Sequence, residues 1–90
     1  MAKVILSEAL SRQIRGKKNL LIEGDTVRNV LIELIASYPL LRQYCLNDKN
    51  ELQPFVSYFI NKKDIKSLQG INTKVLESDT LTIIPAIAGG

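Results

Sequence analysis

Gly24-Asp25-Thr26-Val27-Arg28-Asn29-Val30-Leu31-Ile32-Glu33-Leu34-Ile35-Ala36-Ser37-Tyr38-Pro39 holds the clearest periodicity in the chain. Val27, Val30, Leu31, Leu34, Ile35 and Tyr38 recur at the three- and four-residue spacing that lines one face of a helix. Asp25 or Thr26 can cap its start by accepting a hydrogen bond from an unpaired backbone N–H. Pro39 stops it, because the residue before a proline is pushed out of the helical region. One amphipathic helix needs an apolar surface to lie on, and the flanking sequence supplies one.

On the N-terminal side, Val4-Ile5-Leu6 is short and β-branched and reads as a strand. A polar stretch from Ser7 to Lys18 follows, with Leu10 and Ile14 as anchors and Gly16 as a turn. Asn19-Leu20-Leu21-Ile22-Glu23 is then a second strand, antiparallel to the first, ended by Gly24-Asp25. Beyond the helix, Gln43 to Asn50 is a less regular connection with a turn at Asn47-Asp48-Lys49-Asn50. Phe55-Val56-Ser57-Tyr58-Phe59-Ile60-Asn61 is a third strand, aromatic and β-branched. A tight turn over 61–64 leads into an irregular segment dotted with Ile65, Leu68, Ile71 and Val75. Glu77-Ser78-Asp79 turns into the last strand, Leu81-Thr82-Ile83-Ile84, and Pro85 ends it. The order is strand, strand, helix, strand, irregular segment, strand. A small sheet with one helix across a face satisfies it, an α+β fold with a single domain over 1–85 and a flexible tail over 86–90.

Composition removes several classes of chemistry. Ninety residues leave little room for a deep catalytic cleft. There is no histidine, so the commonest general base and neutral metal ligand are missing. Cys45 is alone, which forbids an intramolecular disulfide or a thiolate metal cage, and it reads as a buried packing residue. No metal site is expected. No apolar run reaches the length of a membrane span, and the N-terminal segment reads as a first strand rather than a signal peptide, so a cytoplasmic address is expected. Lys62, Lys63 and Asp64 sit in the turn after the third strand, with no cleft expected there to make acid–base groups of them. Net charge is +3, but the basic residues cluster locally only at Arg15 to Lys18 and Lys62 to Lys66, without interleaved aromatics. That disfavours nucleic acid as a partner and leaves open the docking of an acidic protein.

The ending carries the chemistry. No charged side chain follows Asp79, and the sequence runs Pro85-Ala86-Ile87-Ala88-Gly89-Gly90. Glycine has no Cβ, so a Gly89-Gly90 end can lie extended in a narrow channel and bring a bare carboxylate to a reactive phosphate. A carboxylate is a poor acyl donor, because its leaving group would be oxide. Condensation with ATP to an acyl-adenylate corrects this. The chain shows no phosphate loop of its own, Gly16, Gly24 and Gly70 fitting no such pattern. Activation would therefore come from a partner, and the protein would be a substrate rather than an enzyme, with no bound cofactor.

Taken together, Ile22-Glu23-Gly24-Asp25-Thr26, Tyr58-Phe59-Ile60-Asn61 and the whole of Asp79 to Gly90 resemble the MoaD/ThiS family of ubiquitin-like, β-grasp sulfur carriers over nearly the full chain. Ser78 departs from the pattern, since the family usually has glycine in that turn. The resemblance implies that a ThiF/MoeB-like adenylating enzyme uses ATP to activate Gly90. A sulfurtransferase or sulfide source then converts the adenylate to a thiocarboxylate, the sulfur donor for a downstream synthase. Cysteine- or homocysteine-type synthesis ranks first, the small subunit of molybdopterin synthase second and thiamine synthesis last. The alternative is a ubiquitin-like modifier joined to lysines through Gly90. A plain binding module with an inert tail is the remaining contrast.

Strand alternation adds a recognition face. If Val56, Tyr58, Ile60, Leu81 and Ile83 point under the helix, Phe55, Ser57, Phe59, Thr82 and Ile84 point away. The two strands are neighbours in a five-stranded grasp, so Phe59, Thr82 and Ile84 form one patch beside the root of the tail. Pro85, Ala86, Ile87 and Ala88 complete the expected partner-binding set.

Overall fold

The central strand of the sheet is the one that leads into the tail. In the computed structural model, which describes residues 1–86, β5 (Thr80–Pro85) lies between β1 (Ala2–Leu6) and β3 (Val56–Ile60). It pairs parallel with β1, Val4 opposite Leu81, and antiparallel with β3, Tyr58 opposite Ile83. β2 (Asn19–Ile22) closes one edge antiparallel to β1, as expected, and a two-residue strand, β4 (Lys63–Asp64), closes the other. The order β2-β1-β5-β3-β4 is that of a five-stranded grasp.

Alternation sorts the two faces. Val4, Leu6, Leu20, Ile22, Val56, Tyr58, Ile60, Leu81 and Ile83 are all buried on the inner face. Against them lies the long helix Val27–Ser37, which buries Val27, Val30, Leu31, Leu34 and Ile35, the stripe read from the sequence. Full burial of each such side chain is worth about 1.5–3 kcal/mol. Thr26 is the cap, its Oγ1 accepting from the Asn29 N–H at 3.1 Å, while Asp25 accepts from the Asn29 side chain at 2.9 Å. Tyr38, before Pro39, leaves the helical region at φ −134° and ψ 77°.

Several stretches are more ordered than the sequence suggests. The Ser7–Lys18 connection opens with a helical turn over Glu8–Ser11 and a 3-10 turn over Arg12–Ile14, which bury Leu10 and Ile14. Ser7 caps it by accepting from the Leu10 N–H. Arg42–Cys45 forms another short helix where an irregular connection was expected. These turns are too short to show a period. The third strand is two residues shorter than expected: Phe55 lies in the preceding turn, and Asn61 takes φ 57° to start the hairpin into β4. The last strand is longer, since Pro85 pairs with Val56 instead of ending it. It fits because β1 pairs with β5 no further than Ile83, so the missing N–H falls on an open side. Ser78 is not among the residues with positive φ, and this turn does not require the glycine.

Gly24 has a demanding place. Its φ is +146°, and a Cβ there would stand 2.6 Å from the Val30 backbone nitrogen. The exit from β2 thus passes directly over the first turns of the long helix, which sets how closely helix and sheet approach. Gly24→Ala is expected to destabilise the fold by about 2–4 kcal/mol, a clash added to backbone strain. Urea unfolding midpoints of the two proteins check this.

Candidate functional site

The candidate site is built where β5 leaves the sheet. Pro85 is buried against Val56, and the Ala86 N–H donates to the Phe55 carbonyl at 2.6 Å. The chain is therefore held by β3 up to Ala86. Ile87, Ala88, Gly89 and Gly90 lie outside the described residues.

Phe59, Thr82 and Ile84 fall on the outer face as read from the alternation. Phe59 stands directly opposite Thr82, and Ile84 opposite Ser57. Ile84 is 44% exposed, while Phe59 and Thr82 are half-buried. Ala86 is exposed, whereas Pro85 is buried and offers a partner no open side chain; its work is to hold the strand. The connection after the helix is tied to the inner face at Tyr58, whose inward hydroxyl donates to the Cys45 carbonyl at 3.0 Å.

The face is wider than the sequence reading. Ile5 pairs with Thr82 from the other side, so Ile5, Thr82 and Phe59 form one row across three strands. Ile5 is 38% exposed, and Leu21 on the neighbouring strand is 62% exposed. Both follow from alternation, since Val4 and Leu20 point inward. Sequence alone could not place β1 beside β5, so the signal lacked an address. Phe55, 43% exposed, sits at the tail's anchor.

Other candidates are engaged elsewhere. Cys45 is buried, and burial pushes its thiol up to about 11. Burial, and then the neighbouring Cys45, push the Tyr58 hydroxyl up as well. Asp64 does border a cavity of about 200 Å³, contrary to the expectation of no cleft there. Its carboxylate accepts from the Lys66 N–H at 2.9 Å and caps the turn that follows. Lys62 and Lys63 are exposed. Among the described residues no helix is long and apolar enough to cross a membrane.

Comparison with known proteins agrees with this geometry. The model of the ThiS family matches residues 8–90. The sulfur carrier protein CysO of Mycobacterium tuberculosis is 31% identical over 77 residues, 83% of each chain. Small archaeal modifier protein 3 of Haloferax volcanii is 31% identical over 85 residues, 91% of each. A chain in the crystal structure of the Amycolatopsis orientalis BexX/CysO complex superposes with a TM-score of 0.88 at 26% identity, covering both chains in full. The ubiquitin-like β-grasp fold is thus the fold of this chain.

Two outcomes follow. If a partner enzyme activates the tail, as the sequence leads one to expect, Phe59→Ala should lower the efficiency of that activation roughly tenfold, the loss of one aromatic anchor, with the domain still folded. Unchanged activation kinetics would remove Phe59 from the site. Raised thiol and phenol values mean that the folded chain keeps protons the unfolded chain loses, so stability should fall as pH rises. For Cys45 the loss begins near 9.0, is complete near 11 and amounts to about 2–3 kcal/mol. Urea midpoints from about pH 8 to about pH 11 should drop less in Cys45→Val than in the parent.

Proposed function

The chain belongs to the ThiS family, and from that premise we propose that it is a sulfur carrier whose reactive group is the carboxylate of Gly90. One carboxylate oxygen attacks the α-phosphorus of ATP in a ThiF/MoeB-like enzyme, and pyrophosphate leaves. Sulfide, or a persulfide with a reductant, then attacks the acyl carbon, and AMP leaves with that oxygen. The product is a thiocarboxylate, which gives its sulfur to a downstream synthase. The chain is then a co-substrate and not a catalyst, and ATP is the partner's cofactor. Cysteine- or homocysteine-type synthesis is the first pathway, molybdopterin synthesis the second.

The observation that carries this reading is the junction at Phe55 and Ala86. The sheet holds the strand through Ala86, and the small, uncharged sequence Ile87-Ala88-Gly89-Gly90 begins immediately beyond. A body that grips its last strand this far can dock by its outer face while the carboxylate reaches a buried nucleotide. Docking and chemistry are assigned to different residues, so each can be altered separately.

A second reading has its own support. The match to small archaeal modifier protein 3 extends over 91% of both chains. In a modifier the same adenylate would meet a lysine amine, AMP would leave, and an isopeptide would form at Gly90.

Mass spectrometry of the protein after incubation with its adenylating enzyme, ATP and sulfide separates these readings. Exchange of one terminal oxygen for sulfur is expected, and a variant lacking Gly89 and Gly90 should show none. Lysine-linked adducts in cell extract, with no thiocarboxylate on the free protein, would favour the modifier. No change at all with the active enzyme would overturn both.

A further inference from the structure

The net charge of the chain resides in one short connection. The Ser7–Lys18 segment carries Arg12, Arg15, Lys17 and Lys18 against the single acid Glu8, leaving eight cations and eight acids elsewhere. The fold puts this segment at the tail's end of the sheet. β1 and β5 run parallel, so their C-terminal ends share one side, Leu6 opposite Ile83. The Ser7 N–H donates to the Ile83 carbonyl at 3.2 Å and the Leu6 N–H to the Lys18 carbonyl at 2.8 Å, closing the connection onto the strand that becomes the tail. Glu23, Asp25, Glu77 and Asp79 flank the opposite end of the sheet, among Lys62 and Lys74.

Two of the four cations there are paired internally and two are not. Glu8 takes Lys18 and, at 3.9 Å, Arg12, and the pair with Lys18 holds its carboxyl below the usual range. Arg15 and Lys17 have no acidic partner among the described residues. Arg15 adopts φ 62°, a conformation that side-chain-bearing residues rarely take, and Lys17 lies 5.8 Å from the centre of the Tyr38 ring. With Tyr38, Pro39 and Leu40 they border an open groove of about 330 Å³, and Leu40 is 61% exposed. An apolar floor rimmed by unpaired cations has the make-up of a protein interface.

We propose that this basic rim, with Arg15 and Lys17 at its centre, docks on an acidic surface bordering the channel through which the activating enzyme receives the tail. The proposal rests on the sulfur-carrier reading. The rim orients the body so that the end bearing the tail meets the enzyme first, and long-range attraction raises the rate of productive encounter. Its place at the end of the sheet where β5 leaves favours a protein over a nucleic acid, since a partner that takes the tail works at that end.

The test measures ATP-dependent adenylation of the full-length protein by its ThiF/MoeB-like enzyme over a range of salt concentrations. For R15E/K17E the expected result is a roughly tenfold loss of kcat/KM at low salt, carried by KM with kcat unchanged. R15Q/K17Q should fall between, and the wild-type rate should decline with salt more steeply than either variant. Circular dichroism and thermal midpoints confirm that the variants fold, and the wild-type salt dependence stands without any variant. Wild-type turnover with flat salt dependence and unaltered variants overturns the proposal and leaves the carrier reading intact. No wild-type adenylation by an active enzyme overturns both. Binding of total tRNA that R15E/K17E abolishes, with unaltered adenylation, reassigns the rim to nucleic acid and also overturns the proposal.

Discussion

Double pairing of β5 is the constraint on which the rest depends. It is the central strand of the five, bonded on one side to parallel β1 and on the other to antiparallel β3, and its inward Leu81 and Ile83 have no exposed surface. Parallel strands need a long crossover between them, and here nearly the whole chain serves as that crossover. The first strand and the last are thus locked together, and everything between must fold back onto them. A strand in that position is the most secure point from which to extend a tail.

The helix is what makes this sheet stable. Five strands with one apolar face would otherwise leave Val4, Tyr58, Leu81 and their neighbours in water. Its own apolar stripe is matched to that face, and Gly24 permits the approach at its start. The other face is left less apolar, with Thr80, Thr82 and Ser57 interspersed among Ile5, Phe59 and Ile84. That mixture lets the free protein present a patch without the continuous apolar area that would drive self-association.

The elements legible in the sequence were those long enough to show a period. The 27–37 helix, its stripe and its stop at Pro39 could be read directly, as could the inward and outward sets of β3 and β5. Two-residue β4 has no period, and the Glu8–Ser11 helix is a single turn with one apolar anchor, Leu10. Pro85 misled because the rule that proline ends a strand presumes a neighbour on both sides, which Pro85 lacks. Parallel pairing of β1 with β5 is encoded by nothing local, being a consequence of global packing. For that reason Phe59, Thr82 and Ile84 could be grouped on one face from alternation and the family's strand order, while Ile5 and Leu21 could not. The tail was the reverse case: it was the most telling segment of the sequence by composition, and its residues 87–90 lie outside the described residues.

On the proposed carrier reading, this division would let a chain without histidine and with its lone cysteine buried take part in group transfer. A catalyst must hold several groups in fixed geometry around a substrate, and a ninety-residue core offers little space for that. A carrier needs only one reactive atom and a body that another protein can recognise. In such a carrier, selection on the body would concern its outer face and its charge distribution, and the terminal residues would answer to the partner. The close agreement in fold with Mycobacterium tuberculosis CysO at only 26% identity fits that arrangement, because a core built from interchangeable apolar residues can drift while strand order stays fixed.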